Sequence, residues 1–237
     1  MRYARHLTLD GFGPAAQQAL ADASVAVVGA GGLGSAVLTY LVAAGVGHVT
    51  IIDDDGVEES NLARQVLYGP GDCGERKATA AARALHRLNP GTTIVTQSVR
   101  LTSDNARELI AGHSIVADCC DSYTTRYQIE AAARAEALPI VWGTVRGWRG
   151  QVAVWGPAQN VSAQNEPALW YSDVFGPEPP ADPPGPAVLG PAVGVVGTTM
   201  AVEAVKALTG TSTPLQGYLR LYDAMAGTWE TVRCAHE

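Results

Sequence analysis

Charge is scarce in this chain of 237 residues: only 16% are Asp, Glu, Lys or Arg, and the lysines are just Lys77 and Lys206. With 16 basic against 23 acidic residues the formal net charge is −7. That deficit of cations excludes a protein that coats nucleic acid, because such affinity rests on clustered Lys and Arg neutralising phosphates. Cysteine is also sparse. Cys73, Cys119, Cys120 and Cys234 form no C-x-x-C pair, which leaves neither a secreted disulfide framework nor a zinc quartet. The first residues, Met1-Arg2-Tyr3-Ala4-Arg5-His6, lack the apolar run and cleavage site of a signal peptide. Residues 23–52 contain no charge apart from His48, but Gly29, Gly31, Gly32, Gly34, Gly45 and Gly47 cut the run into strand-length and helix-length pieces. Residues 187–202 are interrupted by Pro191 and three glycines. Neither reads as a membrane span, and a cytoplasmic protein is expected.

What remains is a regular alternation. Ser24–Val28 is an unbroken apolar run ending in glycines, as in a parallel strand covered on both faces. A helix is expected over 33–44, a strand over 48–53, a helix over 76–88 and a strand at Thr93–Gln97. A helix capped by Ser103 follows to residue 110, then a strand over 114–119, a helix over 124–136 and a strand over 139–142. This pattern predicts a doubly wound, Rossmann-like, mostly parallel α/β sheet with ligands beyond the carboxyl ends of its strands. The alternating segment 150–155 and two further strands, 218–222 and 229–233, predict an antiparallel C-terminal extension, with a helix over 192–208. Residues 177–191 contain seven prolines and are expected to form a loop. No repeat or linker divides the chain, so 1–237 is expected to be one domain, with an N-terminal arm over 1–23 and a crossover loop over about 157–191.

Gly29-Ala30-Gly31-Gly32-Leu33-Gly34 fits G-x-G-x-x-G between an expected strand and an expected helix, the setting in which backbone N–H groups and a helix N-terminus cradle phosphate. Asp53 ends the next strand, placed to accept ribose hydroxyls. These residues indicate a nucleotide without saying which, so a NAD(P)-binding oxidoreductase is one open reading. Lys77 stands at a helix start, where the dipole disfavours a cation; an anion nearby would explain it.

Ser60-Asn61-Leu62-Ala63-Arg64-Gln65, Gly74-Glu75-Arg76-Lys77, Asp118-Cys119-Cys120-Asp121, Gly150-Gln151, Gly194-Val195-Val196-Gly197 and Tyr222-Asp223-Ala224 follow the glycine turn in order. Over nearly its whole length the chain resembles the MoeB/ThiF/HesA enzymes, which share the adenylation domain of ubiquitin-activating enzymes. The resemblance implies adenylation, with ATP and Mg²⁺, of the C-terminal glycine carboxylate of a ubiquitin-like sulfur carrier ending in Gly-Gly, with release of pyrophosphate. It implies that Arg64 and Lys77 grip the phosphates, that Gly29, Gly31, Gly32, Gly34, Asp53, Ser60 and Asn61 hold the nucleotide, and that Asp121 binds Mg²⁺. It also implies a homodimer in which Arg5 reaches the γ-phosphate held by the other subunit. Arg126 matches a family arginine, and its plainer reading is a side chain that only buttresses the site. Adenylation of a peptide or another carboxylate is the alternative on the same machinery.

These residues also have structural readings: Asp53 and Asp121 as helix caps, Arg64 as a surface ion pair, Lys77 and Arg5 as solvated side chains, and Cys73, Cys119 and Cys120 as packed thiols. Two departures matter. Many relatives bind zinc through two C-x-x-C pairs, where this chain has Ala168 and Tyr171 and, near its end, Cys234 alone. The crossover loop has no cysteine either, so a covalent thiol relay through it is excluded and an external sulfur donor is expected.

Overall fold

The computed structural model describes residues 2–157, 168–182, 187–211 and 215–234. The parts of the expected crossover loop at 158–167 and 183–186 lie outside the described residues. One sheet of eight strands runs in the order β3-β2-β1-β4-β5-β6-β7-β8. Its strands are β1 (Ser24–Val28), β2 (His48–Ile52), β3 (Thr93–Gln97), β4 (Ile115–Asp118), β5 (Ile140–Arg146), β6 (Arg149–Trp155), β7 (Tyr218–Asp223) and β8 (Thr228–Arg233). The first five positions pair in parallel and the last three junctions are antiparallel. The expected fold class is therefore observed.

Helices α1 (Ala4–Leu7), α2 (Gly13–Asp22), α3 (Gly32–Ala44), α4 (Lys77–Leu88), α5 (Ala106–Ile110), α6 (Tyr123–Ala135), α7 (Tyr171–Phe175) and α8 (Gly190–Thr209) cover the two faces. The apolar strand residues divide between two cores. Val25, Val27, Val49, Ile51 and Ile115 pack with α3, α4 and α8, whereas Ala26, Val28, Val116 and Ile140 pack with α5, α6 and α7. Burial on both faces explains why these strands read as unbroken apolar runs rather than alternations. Helix α8 is long and apolar enough to cross a membrane, yet it is a core helix: a Cβ on its Gly197 would lie 2.9 Å from Leu33 O on α3.

Several boundaries differ from expectation. α8 begins at Gly190 and takes Pro191 into its first turn, where the missing N–H has no partner to lose. α5 starts at Ala106 rather than Ser103; Asn105 Oδ1 takes the Thr102 N–H at 2.8 Å, and Ser103 caps nothing. α7, unforeseen, lays Tyr171 and Phe175 on Trp142 with ring centroids 5.4 and 5.7 Å away. Tyr171, at one of the positions where relatives carry zinc ligands, thus belongs to an aromatic layer that also includes Trp155. Polar ties anchor the N-terminal arm: the Asn89 amide donates to Tyr3 Oη at 2.9 Å and to Val42 O at 2.8 Å.

Candidate active site

β1 lies where the sheet order changes direction, so the connections after β1 and β4 leave to opposite sides and open a crevice at their carboxyl ends. A cavity of about 600 Å³ fills that crevice. The turn after β1 forms its floor. Gly29 adopts φ +93°, and a Cβ there would come 2.8 Å from Cys119 O. Gly34 lets α3 start against the turn itself, since a Cβ would meet Gly29 O at 2.0 Å. Gly31 and Gly32 face the cavity, whereas Gly34 does not line it. The first three glycines therefore shape the binding surface, and Gly34 holds the turn together.

Asp53 closes the turn from the side. Its Oδ2 accepts the Ala30 N–H at 2.7 Å and its Oδ1 accepts the Asp55 N–H at 2.9 Å. Burial pushes the Asp53 pKa above 3.8, against the opposing pull of the Ala30 N–H and Lys77. Asp53 is thus no helix cap but a brace between the glycine turn and the loop that follows β2.

That loop is tied to the start of α4. Val57 N donates to Glu75 O at 2.8 Å, and Lys77 N donates to Asp55 O at 2.9 Å. Lys77 opens α4 with its side chain 8% exposed and its Nζ 2.8 Å from Asp55 Oδ2. It is therefore not a solvated lysine: an ammonium is held almost out of water at the cavity wall, facing a carboxylate that remains largely in solvent. Arg64 joins it in the lining, with Nη1 donating to Ser60 O at 3.0 Å. Asn61 lines the cavity too and is buried, its Oδ1 taking the Glu58 N–H at 3.4 Å. Ser60 does not reach the cavity; its hydroxyl donates to Glu58.

The opposite wall comes from the end of β4. Asp121 is exposed on the cavity, and the cap of α6 is its neighbour Ser122, whose hydroxyl takes the Thr125 N–H. Beneath it Asp118 is buried and accepts the Cys120 N–H at 3.1 Å and the Cys120 thiol at 2.9 Å. Burial raises the Asp118 pKa, with Arg126 pulling the other way. Arg126 is 4% exposed, donates Nη2 to Cys120 O at 2.8 Å and lies over the rings of Tyr123 and Trp142. It supports the turn that presents Asp121. Burial also drives the thiols of Cys119 and Cys120 well above their usual pKa, the nearby Asp118 charge adding to it. These are thiols, not poised nucleophiles.

Arg5 lies on α1, exposed and outside this cavity. Sequence reasoning passed over Arg100 and Arg146, which add positive charge to the lining from the ends of β3 and β5. Their strand-end positions were the available signal. Asp182 was equally unforeseen: it reaches 60 residues back to accept the Ser122 hydroxyl at 2.9 Å and the Tyr123 N–H.

Residues 3–237 match the ThiF family. The chain belongs to it. A sulfur carrier protein adenylyltransferase from Thermus thermophilus is 44% identical, over 98% of this chain and 87% of that protein. Molybdopterin-synthase adenylyltransferase from Salmonella typhimurium is 40% identical, over 95% of this chain and 88% of its own length. The Escherichia coli sulfur carrier protein ThiS adenylyltransferase is 36% identical over 98% of this chain and 90% of that one. In fold the ThiF domain resembles the crystal structure of Escherichia coli MccB with ATP, with TM-score 0.85 and 20% identity across 100% of this chain and 72% of that one.

Proposed function

We propose that this ThiF-family chain is an ATP-dependent adenylyltransferase that activates the C-terminal glycine carboxylate of a ubiquitin-like sulfur carrier. The observation that carries the proposal is the convergence of Arg64, Lys77, Asp53 and Asp121 with the glycine turn in one cavity, in a chain 44% identical to a sulfur carrier protein adenylyltransferase. In the reaction a carboxylate oxygen attacks the α-phosphorus of ATP. A carboxyl–phosphate anhydride forms, the bond to the β-phosphate oxygen breaks, and pyrophosphate departs.

Both reactants are anionic, so the work is charge neutralisation and alignment. Lys77 and Arg64 suit the α-phosphoryl group and the departing pyrophosphate. The cradle at Gly31 and Gly32 takes phosphate against backbone N–H groups at the start of α3. The Asp53 carboxylate, each oxygen already accepting one N–H, keeps a second acceptor site per oxygen for ribose hydroxyls. Asp121 offers Mg²⁺ a hard carboxylate oxygen on the cavity wall, and this fits an ion that prefers one or two carboxylates with phosphate and water. Bound there, Mg²⁺ would neutralise triphosphate charge.

Arg5, exposed on α1, is assigned to a partner subunit's cavity in a homodimer. The absence of cysteine from residues 157–191 favours attack on the adenylate by an external sulfur donor. The cytoplasm, where the substrate would be made, is the proposed location. ATP–pyrophosphate exchange by the purified protein tests the function. Exchange should require a carrier ending in Gly-Gly and fall at least about 100-fold in Lys77→Ala. Exchange driven by peptides but not carriers, or NAD(P) binding without exchange, refutes it.

A further inference from the structure

Two successive peptide groups of the glycine turn are each held by one side chain. The group joining Gly29 to Ala30 gives its N–H to Asp53 Oδ2 at 2.7 Å. The next, joining Ala30 to Gly31, has its C=O taken by Tyr68, whose hydroxyl donates to Ala30 O at 2.7 Å across 38 positions. Lys77 O lies farther from the same hydroxyl, at 3.4 Å, so its one proton goes to the turn. Tyr68 is 6% exposed, belongs to the core packed with α3 and α4, and does not line the cavity. In a trans peptide the C=O and N–H point in opposite directions. With the Ala30 C=O turned into the core, the Gly31 N–H points away from it, toward the side on which Gly31 lines the cavity. That N–H has no partner among the described residues, and neither have those of Gly32 and Leu33, the first donors of α3.

We infer that Tyr68 is a positioning residue for the triphosphate: its hydroxyl selects the orientation of the Ala30–Gly31 peptide in which an N–H, and not a carbonyl oxygen, faces the ligand. This deepens the proposed function and rests on it. Gly31 does not make the selection by itself. Turning the peptide over would carry its φ from −76° to a positive value, which glycine adopts about as readily. The reversed group would present the Ala30 oxygen to the cavity and repel phosphate, where the observed one adds a donor to the helix N-terminus. The glycine that lets phosphate approach thus also permits the wrong orientation, and a hydroxyl from the core decides between the two. Asp53 does the same for the preceding peptide, so two side chains from different segments fix consecutive planes of the turn. Burial and the charges of Asp53 and Asp72 push the Tyr68 pKa up, which keeps the hydroxyl a donor.

The test compares the parent protein with Tyr68→Phe, which removes one oxygen and keeps the ring in the core. Both are labelled with nitrogen-15 glycine, and the Gly31 amide is identified by its absence from Gly31→Ala. In the parent alone, that amide proton should move downfield on saturation with Mg·ATP, as an N–H taken by an anionic oxygen does, and stay in place with adenosine. In Tyr68→Phe, ATP should bind about 10-fold more weakly by calorimetry, while adenosine, followed by NMR titration, keeps its affinity within about 2-fold. At saturating ATP the variant's Gly31 amide should no longer show the downfield shift. A parent amide that ignores ATP, a variant that keeps the shift or binds ATP as well as the parent, or an equal loss for adenosine and ATP overturns the inference and leaves the proposed function standing. If the parent binds no ATP, the proposed function fails and the inference falls with it.

Discussion

Two glycines of the same turn should fail in opposite ways. At Gly34 an added Cβ would lie 2.0 Å from Gly29 O and 3.0 Å from Gly29 C. Both are backbone atoms of the turn, so no side chain can swing aside and either α3 or the turn must move by more than 1 Å, taking about 3.3 Å as a tolerable C···O contact. Overpacking of this kind costs about 3 kcal/mol. For a chain of this size Gly34→Ala should then lower Tm by about 6–12 °C. At Gly31 the nearest atom to an added Cβ is Gln65 Nε2 at 3.7 Å, an ordinary contact. The protein without nucleotide has room for it, and the loss of stability should stay below about 1 kcal/mol. The methyl group would instead stand where the proposed function puts phosphate against the backbone, and should raise the KM for ATP at least about 10-fold, or about 1.4 kcal/mol. Thermal unfolding and ATP–pyrophosphate exchange on the two variants provide the comparison. If Gly31→Ala melts as early as Gly34→Ala, or keeps its KM for ATP within about 2-fold, the division of labour within the turn is refuted.

Three further outcomes follow from the site. Arg126→Ala removes the donor to Cys120 O and the packing over Tyr123 and Trp142; urea unfolding should show a loss of about 1.5–3 kcal/mol. Asp53 is raised in the folded state, so its contribution to stability is greatest below pH 3.8 and is lost as pH rises through its folded-state pKa. The stability of Asp53→Asn relative to the parent should therefore increase from pH 4 to pH 7, and a decrease would contradict the burial argument. Maleimide at pH 7 should label exposed Cys73 before Cys119 and Cys120, whose burial keeps them protonated; early loss of either inner thiol would mean that the β4 end opens.

The central parallel strands were legible because they are buried on both faces, and Ser24–Val28 emerges with the boundaries that its apolar run implied. Thr93–Gln97, polar at both ends and partly exposed at the sheet edge, also has its expected boundaries. Less legible were elements whose determinants are distant. α7 is held by Glu130, which accepts both the backbone N–H and the hydroxyl of Ser172, a contact across 42 positions that no local pattern announces. α2 is built largely on alanines, whose small side chains give a weak apolar stripe. The site motifs converged as their order suggested, but motif membership did not separate cavity-facing Asn61 from Ser60, which turns away, or Gly31 from Gly34. Those distinctions depend on the direction of one bond vector in a turn.

The bracing around Asp53 carries an energetic consequence. The turn at Ala30, Asp53, Asp55 and Lys77 are joined in series by the Ala30 N–H, the Asp55 N–H and the Lys77 ammonium. The groups assigned to ribose and to phosphate are therefore successive links of one chain, with no slack residue between them. Substitutions at Asp53 and Lys77 should not add: once one link is cut, the other has already lost part of its alignment, and a double-mutant cycle should return a coupling energy of about 0.5–3 kcal/mol. On the proposed function, ribose and phosphates would then be sensed as a single object, and a ligand with only one of them would forfeit part of the affinity available at the other.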